Sequence, residues 1–420
     1  MTPMDSPPSS SFRRRLWLII FVGLVARTAI IIYADGRSSF DFPDSRRYVM
    51  VARHIAEGLG PVDSSEVRAG TDPLYPLLVS VAPLRGLETN SAVYRWARIL
   101  NTAFGLASIW LIATIGRSLA GECAGLLAAA IYALDPITLF FTALVLTETC
   151  FTTLLLTSMW LILQLRLRAP GPIELIQIAG AGLAMGLATM TRSSSVMLIV
   201  PLIVLAMAGV KRLRIAVALT LVFSFILALS PTLIRNYRLY DTCVPVRTGN
   251  GASLMEALGP WADGGPGMNR IQYPPSVPGE NELEKDRRCR AQAIRWAREN
   301  PGRAASLAWS KFKRTWSITM NAAGYSSFTY NLISALSVTP IYLLTIIGIW
   351  RFRSRPWELA LLLLPAVYFS LVHCIFVGSV RYRIPAMPFV FLLAANGFCS
   401  FRRGSIPTSK SDILTTDGHS

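Results

Sequence analysis

The sequence predicts an all-α polytopic membrane protein with about ten transmembrane helices and two long outer loops that carry interfacial helices. Three observations lead there. Hydrophobic residues make up 52% of the 420 residues and charged residues only 15%, against roughly 25% charged in a soluble domain. The apolar residues fall in repeated runs of roughly 16 to 22, the length that crosses a bilayer. Lys and Arg gather at every second turn between those runs, as they do on the cytoplasmic side of membrane proteins. The formal charge of +17 therefore belongs to an inner membrane face, and no nucleic-acid partner is expected.

The first span is 16–33. A tail, residues 1–15, precedes it and ends in Arg13, Arg14 and Arg15, which hold it in the cytoplasm. The span is long, lacks a small-residue cleavage site and continues into the chain, so it is not a cleaved signal peptide. Further spans follow at 95–115, 121–138, 143–164, 173–190, 195–210, 215–234, 330–350, 357–376 and 384–400. The turns that return to the cytoplasm hold Arg117, then Arg166 and Arg168, then residues 211–214, then Arg351, Arg353 and Arg355, and last Arg402 and Arg403. Each is short and basic, so count and orientation support each other. Residues 16–400 form one domain, and a cytoplasmic, disordered tail, 401–420, closes the chain.

The long outer loops are 34–94 and 235–329. In the first, residues 45–57 place Tyr48, Val51, Ala52 and Ile55 at helical spacing, with Arg46, Arg47, Arg53 and Glu57 largely elsewhere. Such a helix suits the membrane interface, and Gly58, Gly60 and Pro61 end it. In the second, 259–279 reads as irregular chain. A charged helix over 282–300 and an amphipathic stretch over 304–320, with Trp309, Phe312 and Trp316 on related faces, follow it. No internal repeat of the kind that builds many transporters is present.

Metal chemistry has little to draw on. Cys123, Cys150, Cys374 and Cys399 lie in or beside apolar runs, where a thiol acts as a small hydrophobe. No CxxC pair or His-rich spacing occurs, and the histidines are His54, His373 and His419 alone. Cys243 and Cys289 share the second outer loop, where an oxidising compartment would permit them to pair.

Asp41 and Asp44 lie just past the outer end of the first span, at the membrane–water boundary. Asp44 suits two roles equally, the N-cap of the helix that follows and a catalytic carboxylate. Glu148 lies about one turn inside the fourth span, where a carboxylate needs a partner or a water-filled cavity. Arg27 lies in the first span, Arg98 and Asn101 near the start of the second, and Arg192 at the outer end of the fifth. For Arg27 and Arg98, snorkelling to the headgroups is an equal alternative. Arg381 and Arg383 form a basic pair just outside the last span, followed by prolines where a helix start tolerates them. These groups point to one outer-facing pocket with both signs of charge.

Seven motifs occur in order. They are Asp44-x-x-x-Tyr48, Pro73-Leu74-Tyr75-Pro76, Arg98-x-x-Asn101, Leu146-Thr147-Glu148-Thr149, Gly186-Leu187-Ala188-x-x-Thr191-Arg192, Pro231-x-x-x-Arg235-Asn236-Tyr237 and Arg381-Tyr382-Arg383-x-Pro385. Over about residues 16–400 the chain resembles the bacterial branch of the GT-C fold membrane glycosyltransferases. It is similar to the protein mannosyltransferase family and to the aminoarabinose transferases that modify lipid A. The resemblance implies transfer of a sugar from a polyprenyl-phosphate donor to a lipid, glycan or protein acceptor on the outer face of the bacterial inner membrane. It assigns the general base to Asp44 and matches Glu148 to the family's recurrent span-four acid, while Asp41, one helical turn earlier and before Pro43, reads as orienting the loop. Arg381 and Arg383 match its basic residues near the last span, and Tyr48, Arg192, Arg98 and Arg235 complete the expected donor-binding set. Three positions depart from the pattern. Thr71 and Asp72 stand where many relatives have a basic residue and a second proline, with Arg68 as a compensating cation, and Ser193 stands where relatives commonly continue Thr-Arg with Pro.

The chemistry suits these residues on its own terms. The lipid phosphate that leaves is already a stable anion and needs no acid. The site must supply a base for the attacking hydroxyl and cations for the charge that develops on phosphate. One carboxylate and a few arginines are enough, no cofactor is required, and direct displacement inverts the anomeric carbon. The paired acids of a hydrolase would be superfluous, and the absence of a Gly-rich phosphate loop fits, because no nucleotide need bind. The alternative from another class is a lipid or solute transporter or flippase. It calls for charges near the bilayer midplane and paired broken helices, whereas the acids here cluster at the outer boundary.

Overall fold

A chain in lipid must satisfy its backbone internally, and the apolar runs do so as helices. The computed structural model describes residues 7–403 except 38–39, 65–66, 82–89, 168–172, 211–212, 276 and 322–326. The tails at 1–6 and 404–420, and Arg168, Lys211 and Arg212, lie outside the described residues. Among those described there are sixteen α-helices and no strand. The first long loop, after α1 (Ser10–Ala34), carries α2 (Pro43–Ala56) and α3 (Leu74–Ser80). Then come α4 (Asn90–Ala120), α5 (Glu122–Leu134), α6 (Pro136–Ala143), α7 (Glu148–Leu167) and α8 (Ile173–Thr191). A 3₁₀ segment, Ser193–Leu198, leads into α9 (Ile199–Gly209), and α10 (Arg214–Tyr240) ends at the second long loop. That loop holds α11 (Asn250–Ala257), α12 (Glu282–Glu299) and α13 (Pro301–Thr315). After α14 (Phe328–Phe352) and α15 (Pro356–Ile375), a 3₁₀ segment, Val380–Ala386, runs into α16 (Met387–Arg403).

Eight of these helices are long and apolar enough to cross a membrane, or nine if the bent pair α5 and α6 counts as one span. The predicted third span is therefore broken, with a bend of 52°. Asp135 accepts hydrogen bonds from the Thr138 backbone and hydroxyl at 2.7 and 2.8 Å. With Pro136 as the first helical residue, it starts a new helix instead of continuing the old one. The predicted sixth span is the shorter apolar helix Ser193–Gly209, which opens as 3₁₀. The fourth begins at Glu148 itself, so this carboxylate opens α7 instead of lying a turn inside it.

The bundle has two chemically different ends. At one, Ser9 donates to Glu122 at 2.9 and 2.7 Å, and Arg117 pairs with Glu122 at 3.7 Å. Arg355 donates to the Leu119 carbonyl at 2.7 Å, and Arg355 and Arg166 meet Glu358 at 3.2 and 4.0 Å. The ends of α1, α4, α5, α7 and α15 thus share a basic surface. Glu148 lies at the other end of the 20-residue α7, about 30 Å away at 1.5 Å per residue. Between the ends, α4 and α5 touch through glycines, and a Cβ on Gly116 would lie 2.6 Å from the Gly125 Cα.

The loop helices follow the sequence with two additions. A capping box between Asn281 and Glu284 starts α12. The amphipathic stretch ends at Thr315, five residues early; Trp309 and Phe312 stack on it at 5.5 Å. Trp316 instead turns inward and donates to Ser370 Oγ at 2.8 Å. The short α3 and α11 were not expected. Cys243 and Cys289 are unbonded, one exposed and one buried, because Cys289 packs with Leu254 and Met255. Arg27 does not snorkel. It is fully buried and donates to the Gly23 and Ala133 carbonyls at 3.2 and 3.3 Å.

Candidate active site

Pro43 fixes the first turn of α2 and delivers Asp44 to the end of the bundle opposite the basic surface. Phe42 occupies the N-cap position, so Asp44 is not the cap. Its carboxylate accepts a hydrogen bond from Arg381 Nη1 at 2.5 Å and stays half-exposed. The Arg381 Nε donates to Glu148 Oε1, and Arg192 Nη1 reaches the same oxygen at 3.2 Å. Glu148 is fully buried, and its second oxygen has no protein partner. Two carboxylates and two guanidiniums from α2, α7, the end of α8 and the last 3₁₀ segment thus form one chain of charge, graded from interior to solvent.

Supporting residues hold this arrangement. Arg98 Nε donates to the Ala143 carbonyl at 2.9 Å and pairs with Asp35 at 3.3 Å. Asn101 Nδ2 donates to the Leu144 carbonyl at 2.7 Å. Together they fix the turn that ends in Glu148, so Arg98 is a clamp on the main chain and not a snorkelling cation. Tyr75 donates to Asn101 Oδ1 at 3.2 Å and receives the edge of Tyr48, ring centroids 5.5 Å apart. The Tyr382 ring stacks on His373 at 3.9 Å, and Arg192 lies over Tyr382 at 5.6 Å.

The remaining expected residues lie beside this cluster. Asp41 pairs with Arg46 at 2.7 Å and accepts from the Tyr94 hydroxyl at 2.7 Å. Arg383 is fully buried and donates to the main-chain carbonyls of Thr315 and Ser317. Arg235 donates to Asn236 Oδ1 at 2.8 Å, while Asn236 Nδ2 holds the Val244 and Val246 carbonyls, each at 2.9 Å. This last clamp positions Arg247, which no sequence motif had singled out. Arg247 meets Asp72 at 3.6 Å and donates to Ser193 Oγ at 3.1 Å. The Ser193 backbone N–H also donates to Asp72, at 3.2 Å. Two of the three departures, Asp72 and Ser193, are therefore bonded to each other, and Arg247, not the exposed Arg68, supplies the nearby cation.

Ser193→Pro is expected to fold, because Arg192 already has the extended backbone that suits a residue before proline. It removes the N–H that the buried Asp72 accepts, so stability should fall by about 1–3 kcal/mol. Denaturant unfolding of the purified protein measures this, and an unchanged midpoint would mean that Asp72 does not depend on Ser193.

Electrostatics separate the two outer acids. Partial desolvation, the largest single influence on Asp44, pushes its carboxyl up. The charge and hydrogen bond of Arg381, with the charges of Arg47 and Arg247, outweigh it and hold Asp44 below the usual range. Burial raises Asp72 despite Arg247. Burial and then Asp44's negative charge raise the Tyr48 hydroxyl, which stays protonated. Among the described residues, no group of three or more His, Cys, Asp or Glu gathers as a metal site would require.

Residues 89–234 match the family described as dolichyl-phosphate-mannose-protein mannosyltransferase. None of the curated proteins searched matches the chain in sequence. The archaeal oligosaccharyltransferase AglB from Archaeoglobus fulgidus, solved with an inhibitory peptide and a dolichol-phosphate, is 12% identical and superposes with a TM-score of 0.60 over 94% of this chain and 51% of that one. Its apo form gives 11% identity and a TM-score of 0.54 over 94% and 51%. ArnT from Cupriavidus metallidurans bound to undecaprenyl phosphate is 13% identical, with a TM-score of 0.35 over 90% and 78%. The chain spans about half the length of the oligosaccharyltransferase it matches. It is thus a multi-pass, all-helical membrane protein of the GT-C-like fold, and its residues 89–234 match a family of membrane glycosyltransferases, the dolichyl-phosphate-mannose-protein mannosyltransferases.

Proposed function

We propose that the chain is an inverting glycosyltransferase that moves a sugar from a polyprenyl-phosphate donor to a hydroxyl of a lipid, glycan or protein at the outer face of a bacterial inner membrane. One observation carries this reading. A half-exposed carboxylate, Asp44, stands against Arg381, which is anchored in turn on the buried Glu148. Asp44 is the base for the acceptor hydroxyl. Arg381 and Arg192 supply the positive charge for the departing lipid phosphate, and Glu148 fixes both guanidiniums. Arg98 holds the main chain beside Glu148, Arg235 steadies Asn236, which holds the loop carbonyls, and Arg383 anchors the 3₁₀ segment that carries Arg381. Tyr48 presents a protonated hydroxyl and Asp41 orients the loop before α2. Direct displacement of the lipid phosphate by that hydroxyl inverts the anomeric carbon. Mass spectrometry and anomeric analysis of envelope glycolipids and glycoproteins, with and without the gene, test it. A sugar lost from one product, with its anomeric configuration opposite to the donor's, is expected; an unchanged envelope contradicts it.

The same reading puts the site end outside and the basic end in the cytoplasm. Cys243 and Cys123 are both exposed, and they lie at opposite ends. In intact cells an impermeant thiol reagent should label the protein through Cys243, so that Cys243→Ser lowers the label and Cys123→Ser does not. The reverse pattern would invert the topology.

A further inference from the structure

We propose that Arg381 is a lock on Asp44, opened by the donor's phosphate, so that donor binding itself switches on the base. This rests on the transferase reading above and adds an order of events to it. Arg381 has two ends in the structure. Its Nε is held by Glu148, which is fully buried, and its Nη1 by Asp44, which is half-exposed. Water weakens the outer pair far more than the inner one. The guanidinium is thus anchored at one end and exchangeable at the other.

A carboxylate in such a pair is a poor base, because the partner's charge and hydrogen bond favour the unprotonated form. The other charged groups that face Asp44 have partners of their own. Arg47 makes a two-point pair with Asp63 at 2.8 Å, and Arg247 lies on Asp72 and Ser193. Tyr48, one turn along α2, is neutral. Among the described residues, Arg381 is the cation that bonds both Asp44 and the buried Glu148.

A lipid phosphodiester competes for the exchangeable end, since guanidinium binds phosphate oxygens at least as well as carboxylate. When it takes Arg381 Nη1, Asp44 loses its cationic partner and gains an anion nearby. Both changes raise its proton affinity. Asp44 then accepts the proton of the acceptor hydroxyl while that oxygen bonds to the anomeric carbon. The bond from that carbon to the phosphate oxygen breaks, and its electron pair leaves on the lipid phosphate. The leaving phosphate gains a negative charge and holds Arg381 until it departs. When Arg381 returns to Asp44, its charge expels the proton to water and resets the site. An acceptor that arrives before the donor meets a masked base.

The test is a double-mutant cycle on binding. Affinity for a short-chain polyprenyl phosphate is measured by calorimetry on the full-length protein in lipid nanodiscs, for wild type, Asp44→Asn, Arg381→Gln and the double variant. With the lock, Asp44→Asn binds about tenfold more tightly than wild type, because the phosphate no longer displaces a carboxylate; in the Arg381→Gln background the same change alters affinity by less than about twofold. Equal tightening in both backgrounds means plain repulsion between Asp44 and phosphate, and overturns the lock while leaving the donor assignment intact. No tightening in either background overturns it too. No binding by wild type removes the donor assignment and the lock with it. If Arg381→Gln fails to fold, as thermal unfolding would reveal, Arg381→Lys replaces it. A single ammonium cannot hold Glu148 and Asp44 through separate nitrogens, so the lock predicts that Asp44→Asn tightens binding less in that background than in wild type, and full tightening there overturns it.

Discussion

Asp44→Asn is expected to leave the protein folded and to lower sugar transfer by about 10²- to 10⁴-fold, the usual contribution of a general base. Asn is nearly isosteric with Asp and can still accept a hydrogen bond from Arg381, so the half-exposed site keeps its shape. It cannot take a proton from the acceptor hydroxyl. The loss should fall on turnover, because the missing step belongs to the transition state and not to donor capture. Asp41→Asn serves as the control. Asp41 is tied to Arg46 and Tyr94, so its loss should slow transfer more mildly. Initial rates with saturating donor and acceptor measure both. Should Asp41→Asn prove the severe change and Asp44→Asn the mild one, the two roles would be exchanged.

Glu148→Gln should act on stability as well as rate. Glu148 is fully buried, and Arg192 and Arg381 both rest on its Oε1. Removing one partner of a buried pair leaves an uncompensated charge, typically at a cost of about 3–5 kcal/mol. Gln fills the same volume, so the effect comes from charge and not from a cavity. Arg381 also loses its anchored end, and transfer should fall with it. Denaturant unfolding and transfer rates on one preparation check both effects. A wild-type unfolding midpoint would show that Glu148 is not the counter-charge on which the two arginines depend.

The parts of this site that the sequence made legible are those with a local chemical signature. An acid after the first span, an acid at membrane depth and arginines at helix ends stand out because charge is costly there, and Asp44, Glu148, Arg192 and Arg381 do meet. Arg98 and Arg383 stand out for the same reason, yet their bonds go to main-chain carbonyls. A buried arginine that supports a turn and one that faces a ligand look alike in sequence. Arg247 was invisible for the opposite reason. It lies in an irregular loop, and its partners Asp72 and Ser193 are more than 50 residues away. Most spans were legible from hydropathy, although eight or nine helices among the described residues are long and apolar enough where about ten were expected; the break at Asp135 was not, since residues 122–143 stay apolar across it. The Asp-Pro pair was the available signal. Helices of seven and eight residues, α3 and α11, span too few turns for periodicity to register.

The central claim is tested most directly by transfer itself. Purified protein in liposomes is given a radiolabelled polyprenyl-phosphate sugar and a membrane extract as acceptor source, and label is followed into products. Wild type is expected to move label from the donor to a new lipid, glycan or protein product, and Asp44→Asn in the same liposomes is not. Label that stays on the donor with every acceptor fraction and every polyprenyl-phosphate sugar offered, or that moves equally well with Asp44→Asn, would contradict it.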